Sequence, residues 1–375
     1  MRLRLVSMPF ATSTLLGLWP GMLSAQSVGP MVQVSEGLNL TINGGIQNRL
    51  TYGWRTTEPD AERRFAFGIR RARLINILRW REQVGLEYDM DIDSGTLQSV
   101  DLFAFYYFSE DWRIRMGIFP GPQPRAYILT SFRVVDSVER AAIAEYWARH
   151  TIGSSGRDFG FDIRYQRQGL TLQGFLHGGS GDFDNNFVES LVNSSATGGR
   201  DEQAVAVSGY VNYALPQVDG LEIGGFGSIN ASENPNTQPD GVDVGRTVAS
   251  YSGHIYWGAR PGDQPIRLKA DVIGLLYEAL EDRGIDQQSV LGLAATGAVQ
   301  FVRGGEVFGR YEQLYLDTDA PDRSFLQVGV NFSVSARDDR SFAQNRFTLA
   351  YAGAYEDVDE AVNDHQVLFQ WQLTF

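Results

Sequence analysis

Hydrophobic and polar positions alternate along many short stretches of this chain. In residues 364–375 the odd positions from Val367 to Phe375 are apolar, and the even positions are polar except for Leu368. Residues 84–93 show the same period, with apolar side chains at the even positions and acidic side chains at most of the odd ones. An alternation of period two predicts β-strands that have one apolar face and one polar face.

The same pattern divides residues 37–375 into sixteen predicted strands, and every second connection between them is short. The short connections are residues 81–82, 109–111, 168–169, 216–220, 261–263, 304–305 and 337–340. Most of the other connections are long and polar. This arrangement predicts an all-β protein, a transmembrane antiparallel β-barrel of about sixteen strands with short periplasmic turns and longer outer loops. A terminal strand that ends in Phe is typical of the closing strand of such barrels. A soluble β-sandwich would also contain many strands, but its loops have no reason to alternate in length.

The third long connection, residues 120–155, is the candidate constriction loop. It begins with three prolines and then has a helical pattern from Val135 to Trp147. A loop of this length in a compact barrel is usually functional. Folded into the lumen opposite Arg113 and Arg115, it would narrow a water-filled pore, and its arginines would favour anions. These arginines are Arg125, Arg133, Arg140 and Arg149. The alternative is a surface lid whose charges are solvated.

The first residues predict export. Arg2 and Arg4 precede an apolar run that ends in small residues at Ala25, which is the pattern of a secretory signal peptide. We therefore expect a signal peptide at residues 1–25, a short N-terminal lead at 26–36 and the barrel at 37–375, located in the cell outer membrane. An N-terminal membrane anchor is the alternative.

Charge and composition narrow the function. The net charge is −13, Lys269 is the single lysine, and cysteine is absent. An acidic chain is a poor partner for nucleic acid, and the absence of thiolates excludes disulfides and the usual thiolate metal sites. The four histidines have no metal-ligand spacing, so we expect no metal and no cofactor. We also expect no catalytic residues, since a Gly-x-Ser-x-Gly elbow is absent. The alternative functions are a barrel enzyme of the lipase or protease type and a structural barrel.

Four short motifs follow one another in a characteristic order. They are RFAFGIRRARL at 64–74, RMGIFPGP at 115–122, FRVVDSVERA at 132–141 and GRDFGF at 156–161. Together they resemble the phosphate-selective porin O and P family. The resemblance implies an outer-membrane porin, usually a homotrimer, through which small hydrophilic solutes or anions diffuse passively, with phosphate as one option. Its partners would be these solutes and the outer-membrane lipid. The family commonly places a lysine before the proline that follows Phe119, whereas this chain has Pro120-Gly121-Pro122 at that point.

The resemblance also implies which arginines line the pore. The positions that match the family motifs are Arg70, Arg71, Arg73, Arg115, Arg133 and Arg140. Arg113, Arg125 and Arg149 are added because they lie in the same strand or in the candidate constriction loop. In the second predicted strand the alternation of apolar and charged residues does not keep one phase. Phe67 and Ile69 share parity with Arg71 and Arg73, so either a β-bulge intervenes or these arginines lie beyond the lipid band.

Overall fold

The computed structural model describes residues 29–56, 62–93, 96–128, 135–152, 156–179, 205–231, 245–317, 321–357 and 363–375. In this part of the chain a short strand, β1 (Met31–Ser35), precedes sixteen longer strands. These are β2 (Leu38–Thr56), β3 (Glu62–Trp80), β4 (Val84–Asp93), β5 (Thr96–Tyr107), β6 (Trp112–Phe119), β7 (Asp158–Arg167), β8 (Leu170–His177), β9 (Ala206–Ala214), β10 (Leu221–Asn230), β11 (Val248–Trp257), β12 (Ile266–Tyr277), β13 (Gln288–Val302), β14 (Gly305–Leu316), β15 (Arg323–Ser333), β16 (Asn345–Glu356) and β17 (Asn363–Thr374).

Helical segments are short. The segments α1 (Arg125–Ile128) and α2 (Ala142–Arg149) both lie between β6 and β7, and two 3-10 turns occupy Glu281–Arg283 and Ser335–Asp338. Among the helices of the described ranges, none has the length and apolar character needed to cross a membrane.

The sheet closes on itself. From β2 to β17 each strand pairs antiparallel with the next strand along the chain, and β17 pairs with β2. Closure leaves no free edge, so the backbone N–H and C=O groups of the wall find partners within the sheet, which hydrocarbon surroundings require. The prediction of a sixteen-strand antiparallel barrel is confirmed.

The two ends of the chain meet at the seam of the barrel. One edge of β2 is shared: β17 pairs with residues 45–56 of it, and β1 pairs with residues 38–41. Between these two regions the backbone N–H and C=O of Phe375 bond those of Gly44 at 3.0 Å each. The segment predicted as an N-terminal lead therefore contributes a strand that continues the line of β17.

The two faces of the wall follow the sequence pattern. In β17 Phe369 faces outward and is 43% exposed, whereas its neighbour Gln370 points into the barrel and is fully buried among lumenal side chains. The outward face of β3 is similarly apolar, with Phe67 76% exposed. Short turns have the matching backbone: in the three-residue connection 81–83, Arg81 and Glu82 both have positive φ, as the central residues of a type I′ turn require.

A β-bulge resolves the phase of β3. Gln47 pairs with Arg71 while the next residue, Asn48, pairs with Ile69, so Arg70 is the extra residue. The bulge exchanges the two faces of the strand, because Ile69 before it points outward and Arg73 after it bonds the lumenal Asp91 at 2.8 Å. The first of the two alternatives is correct, and the bulge turns this group of arginines toward the lumen.

Deletion of Arg70 is expected to prevent assembly of the barrel. Without the extra residue, one register would place Phe67 and Ile69 in the wet lumen and the other would place arginines against lipid, each of which costs about 2–4 kcal/mol at the midplane. The measurement is the yield of heat-modifiable folded protein in outer-membrane extracts. Arg70→Ala keeps the residue count and should fold. An equal yield of folded protein from the deletion and the substitution would contradict this account.

Candidate constriction site

The helix α2 packs against the inner surface of the wall. Its buried side chains Ile143 and Trp147 lie in a hydrophobic cluster with Phe226, Ile273 and Leu275 of β10 and β12. The indole Nε1 of Trp147 donates a hydrogen bond to Ser250 Oγ at 3.1 Å. Because these strand residues alternate with outward-facing ones, α2 contacts the lumenal face. The inner wall is apolar where it meets the helix and charged elsewhere along the same strands.

The residues before α2 form bends rather than a helix. The sequence predicted a helix from Val135, whereas α2 begins at Ala142. Backbone carbonyls of this segment accept hydrogen bonds from side chains of the wall instead of from amides one turn later. The pairs are Arg346 to Val135 O (2.8 Å), Asn331 to Asp136 O (2.7 Å), Arg49 to Val138 O (2.6 Å) and Arg310 to Glu139 O (3.3 Å) and Arg140 O (2.7 Å). Four wall side chains thus replace the helical hydrogen bonds that the local sequence favours.

A buried ion cluster holds the tip of the loop. Asp136 accepts hydrogen bonds from Arg267 Nη1 and from Lys269 Nζ, both at 2.6 Å. Arg267 also forms a bidentate pair with Glu306, at 2.7 and 2.8 Å. Burial acts to raise the pKa of Asp136, but the adjacent Lys269 and Arg267 outweigh it and hold that pKa well below its usual range. A cavity of about 20 Å³ beside Asp136 and Lys269 has room for one water, so loop and wall are closely packed here.

A second ion cluster, formed with strands β2 and β3, is more exposed. The carboxylate of Glu139 contacts Arg49 of β2, and its other oxygen lies 3.4 Å from Arg70 Nη2. Arg71 interacts electrostatically with Glu139 and with Arg140. Burial acts to raise the pKa of Glu139, but the positive charges of Arg49 and Arg70 lower it by a larger amount. The pKa of Glu139 is therefore below its usual value. The side chain of Glu139 is 34% exposed, compared with 13% for Asp136.

Several predicted arginines are neutralised by carboxylates of the wall. Arg115 forms a bidentate contact with the fully buried Asp162, with Nε 3.0 and 3.1 Å from its two oxygens. Arg125 pairs with Glu222 at 2.7 and 2.9 Å and anchors the start of the loop to β10. These two arginines therefore fasten the wall and the loop, and each carries its own counter-charge.

The remaining predicted residues have different surroundings. Arg113 is half-buried beside Arg115, and it pairs across strands with Arg164 of β7. Arg140 lies on the loop between the hydroxyl of Tyr127 at 2.7 Å and Glu145 at 3.2 Å. Arg149 is exposed at the end of α2. Arg133 lies outside the described residues.

The sequence pattern did not predict most of the residues that hold the loop. They are Arg49, Arg267, Lys269, Arg310 and Arg346, all on the lumenal face of the wall. A signal was present for two of them, because Arg267 and Lys269 alternate with Ile266 and Leu268 and so belong to the polar face of their strand. Alternation identifies the face, but it does not identify the partner on a distant loop.

One group of side chains has the order of a hydrolase triad. His177 Nδ1 lies 2.6 Å from Asp158 Oδ2, and its Nε2 lies 2.7 Å from Ser208 Oγ. Ser208 sits inside β9, whose backbone pairs with β8 and β10 on its two sides. The strand therefore does not form the oxyanion hole of free N–H groups on which acyl transfer depends. The trio cross-links three adjacent strands. Across the described residues, no group of three or more His, Asp or Glu has the arrangement of a metal site.

Solved structures with the same fold include a porin and an outer-membrane channel. The anion-selective porin from Comamonas acidovorans superposes with a TM-score of 0.62 at 10% identity, over 90% of this chain and 100% of that one. The outer membrane channel DcaP of Acinetobacter baumannii gives 0.60 at 10% identity, over 92% and 99% of the two chains. OmpF of Salmonella typhi, in a complex with daunomycin, gives 0.58 at 14% identity, over 92% and 100%. At these identities the likeness concerns the fold. No curated protein matches the sequence.

The fold and the lumenal loop define a sixteen-strand barrel of the porin class. Residues 42–262 match the family described as phosphate-selective porin O and P, and they make up more than half of the chain. The chain belongs to that family. It is an outer-membrane porin, a passive channel rather than an enzyme.

Proposed function

We propose that residues 120–155 form the constriction of the pore and that the channel is general or weakly anion-selective, with phosphate as one of its solutes. The observation that carries this proposal is the way the loop is held across the lumen. Asp136 and the carbonyls near it bind β12, β15 and β16, whereas Glu139 binds β2 and β3. These strands are neighbours in the closed sheet and lie far from β6 and β7, between which the loop is inserted, so the loop extends into the lumen and narrows the passage beside it.

The charges around this passage support a weak anion preference. Arg70, Arg71 and Arg140 approach it from the wall and the loop, and Glu139 and Glu145 offset part of their charge. Rings of arginine favour anions, and carboxylates in the same ring reduce that preference. The single lysine, Lys269, is bound to Asp136, so it does not supply a lysine cluster to the pore.

Assembly and export complete the proposal. The family resemblance supports a homotrimer, and the exposed apolar face of β3, which includes Phe65, Phe67 and Ile69, supports contact with outer-membrane lipid. The pattern of residues 1–25 supports export by a cleaved signal peptide.

The test is the reversal potential of single channels in a planar bilayer under a salt gradient, with phosphate then added as a competitor. We expect a small potential of the sign for anion preference and a partial reduction of the chloride current by phosphate. A cation-selective pore that is indifferent to phosphate would contradict the anion preference. A barrel that carries no current would contradict the constricted channel itself.

A further inference from the structure

The two carboxylates that hold the loop, those of Asp136 and Glu139, differ in how easily an anion from the lumen can replace them. Asp136 is bound by two cations whose side chains are 1% and 4% exposed, and its own side chain is 13% exposed. Glu139 and its partner Arg70 are 34% and 33% exposed, and their contact is long at 3.4 Å. Solvent and solutes in the lumen therefore reach the second cluster more readily than the first.

The surroundings of Glu139 are those of an anion site. Arg49 and Arg70 contact its two carboxylate oxygens, and Arg71 adds a third positive charge nearby. The bulge at Arg70 brings consecutive arginines of β3 to this place. Guanidinium groups match carboxylate and phosphate oxygens with paired N–H donors. A free oxyanion would be held by the same donors that now hold the side chain.

The carboxylate of Glu139 can leave without movement of the loop. Its backbone is held independently, because Arg49 also donates to Val138 O at 2.6 Å and Arg310 donates to the carbonyls of Glu139 and Arg140. Arg49 keeps a further partner, Gln370 Oε1, at 2.8 Å. A rotation of one side chain is sufficient to vacate the site.

We propose, on the basis of the constricted channel described above, that Glu139 sets the anion selectivity of this pore. Its carboxylate is a tethered anion that occupies the site formed by Arg49, Arg70 and Arg71, and a permeating oxyanion, a carboxylate or a phosphate, displaces it. An occupied site accounts for the weak anion preference proposed above for a throat with several arginines, since each solute competes with a covalently attached carboxylate of high local concentration.

The experiment compares Glu139→Gln with wild type in planar bilayers, using potassium chloride gradients and then inorganic phosphate or succinate as blockers. Glu145→Gln is the matched control, because Glu145 lies on the same loop, is also 34% exposed and pairs with Arg140. The double variant Arg70→Gln/Glu139→Gln restores the original net charge but removes part of the site. Heat-modifiable migration verifies that each variant folds.

We expect Glu139→Gln to raise the chloride-to-potassium permeability ratio at least about fivefold, since one unit charge at about 4 Å in water changes the contribution of chloride alone by about that factor. The half-blocking concentrations of phosphate and succinate should fall by a similar factor. Glu145→Gln should leave both blocking concentrations near the wild-type values, and the double variant should lose the gain. Block by phosphate alone would assign the site to phosphate, and block by both would assign it to oxyanions in general.

Equal changes of the permeability ratio in Glu139→Gln and Glu145→Gln, with no change in either blocking concentration, would overturn the proposal. Glu139 would then contribute only net charge. A wild-type barrel that conducts no ions would overturn the proposed channel as well, which makes the two failures distinguishable.

Discussion

Replacement of residues 135–149 by a short Gly-Ser linker is expected to raise the single-channel conductance about two- to threefold, since the barrel wall alone encloses a wide aqueous lumen. The linker removes α2 from the lumen, together with Asp136 and Glu139, the loop carboxylates of the two ion clusters. It keeps the two ion pairs that flank the segment, Arg125 with Glu222 and Arg157 with Asp101. The loop should therefore still leave β6 and enter β7 at the same places.

The measurement is the distribution of current steps in a planar bilayer at fixed salt and voltage. A matched control shortens the chain by the same number of residues between 183 and 197, in the connection from β8 to β9. That control should keep the wild-type conductance. An unchanged conductance in the variant that lacks 135–149 would mean that the constriction lies elsewhere.

Replacement of Asp136 by Asn is expected to destabilise the protein by about 3–5 kcal/mol, the usual cost of leaving a buried charge without its partner. Arg267 would retain Glu306, but the ammonium of Lys269 would lose the carboxylate that contacts it at 2.6 Å. The carboxylate contribution is present above the ordinary pKa of Asp and disappears only as the pH falls through its lowered pKa, so the loss should be complete at neutral pH.

The double variant Asp136→Asn/Lys269→Met isolates the cause. It removes the uncompensated ammonium together with the carboxylate, so most of the lost stability should return. The measurement is the urea midpoint for loss of heat-modifiable folded protein in detergent. If the double variant is as unstable as Asp136→Asn, or less stable, the unpaired ammonium is not the reason for the loss.

Local sequence pattern determined the fold to a large extent. Alternation within single strands, as in residues 84–93, distinguishes the lumenal face from the outer face because side chains of a strand point to opposite sides in turn. The backbone conformation of Arg81 and Glu82 likewise follows from a short connection between paired strands. Both features depend on residues that are neighbours in the chain, so the sequence alone indicates them.

The sequence indicated the bulge at Arg70 only in part. The clash of parity between Ile69 and Arg71 showed that something must change within β3, but a change of register and a position beyond the lipid band both satisfied the pattern. Pairing with β2 decided between them, since only the cross-strand partners reveal the extra residue.

The constriction was decided by tertiary structure. Its sequence favoured a helix from Val135, yet the wall residues Arg49 and Arg346 bind the carbonyls that the helix would use. Asp136 and Arg267 lie 131 positions apart in the chain. Charges so distant in sequence meet only after the barrel closes and the loop enters it. The energy of a charge depends on which partners lie within a few ångströms. The sequence by itself therefore determined the wall and its two faces, whereas tertiary structure decided which charges of the pore are paired.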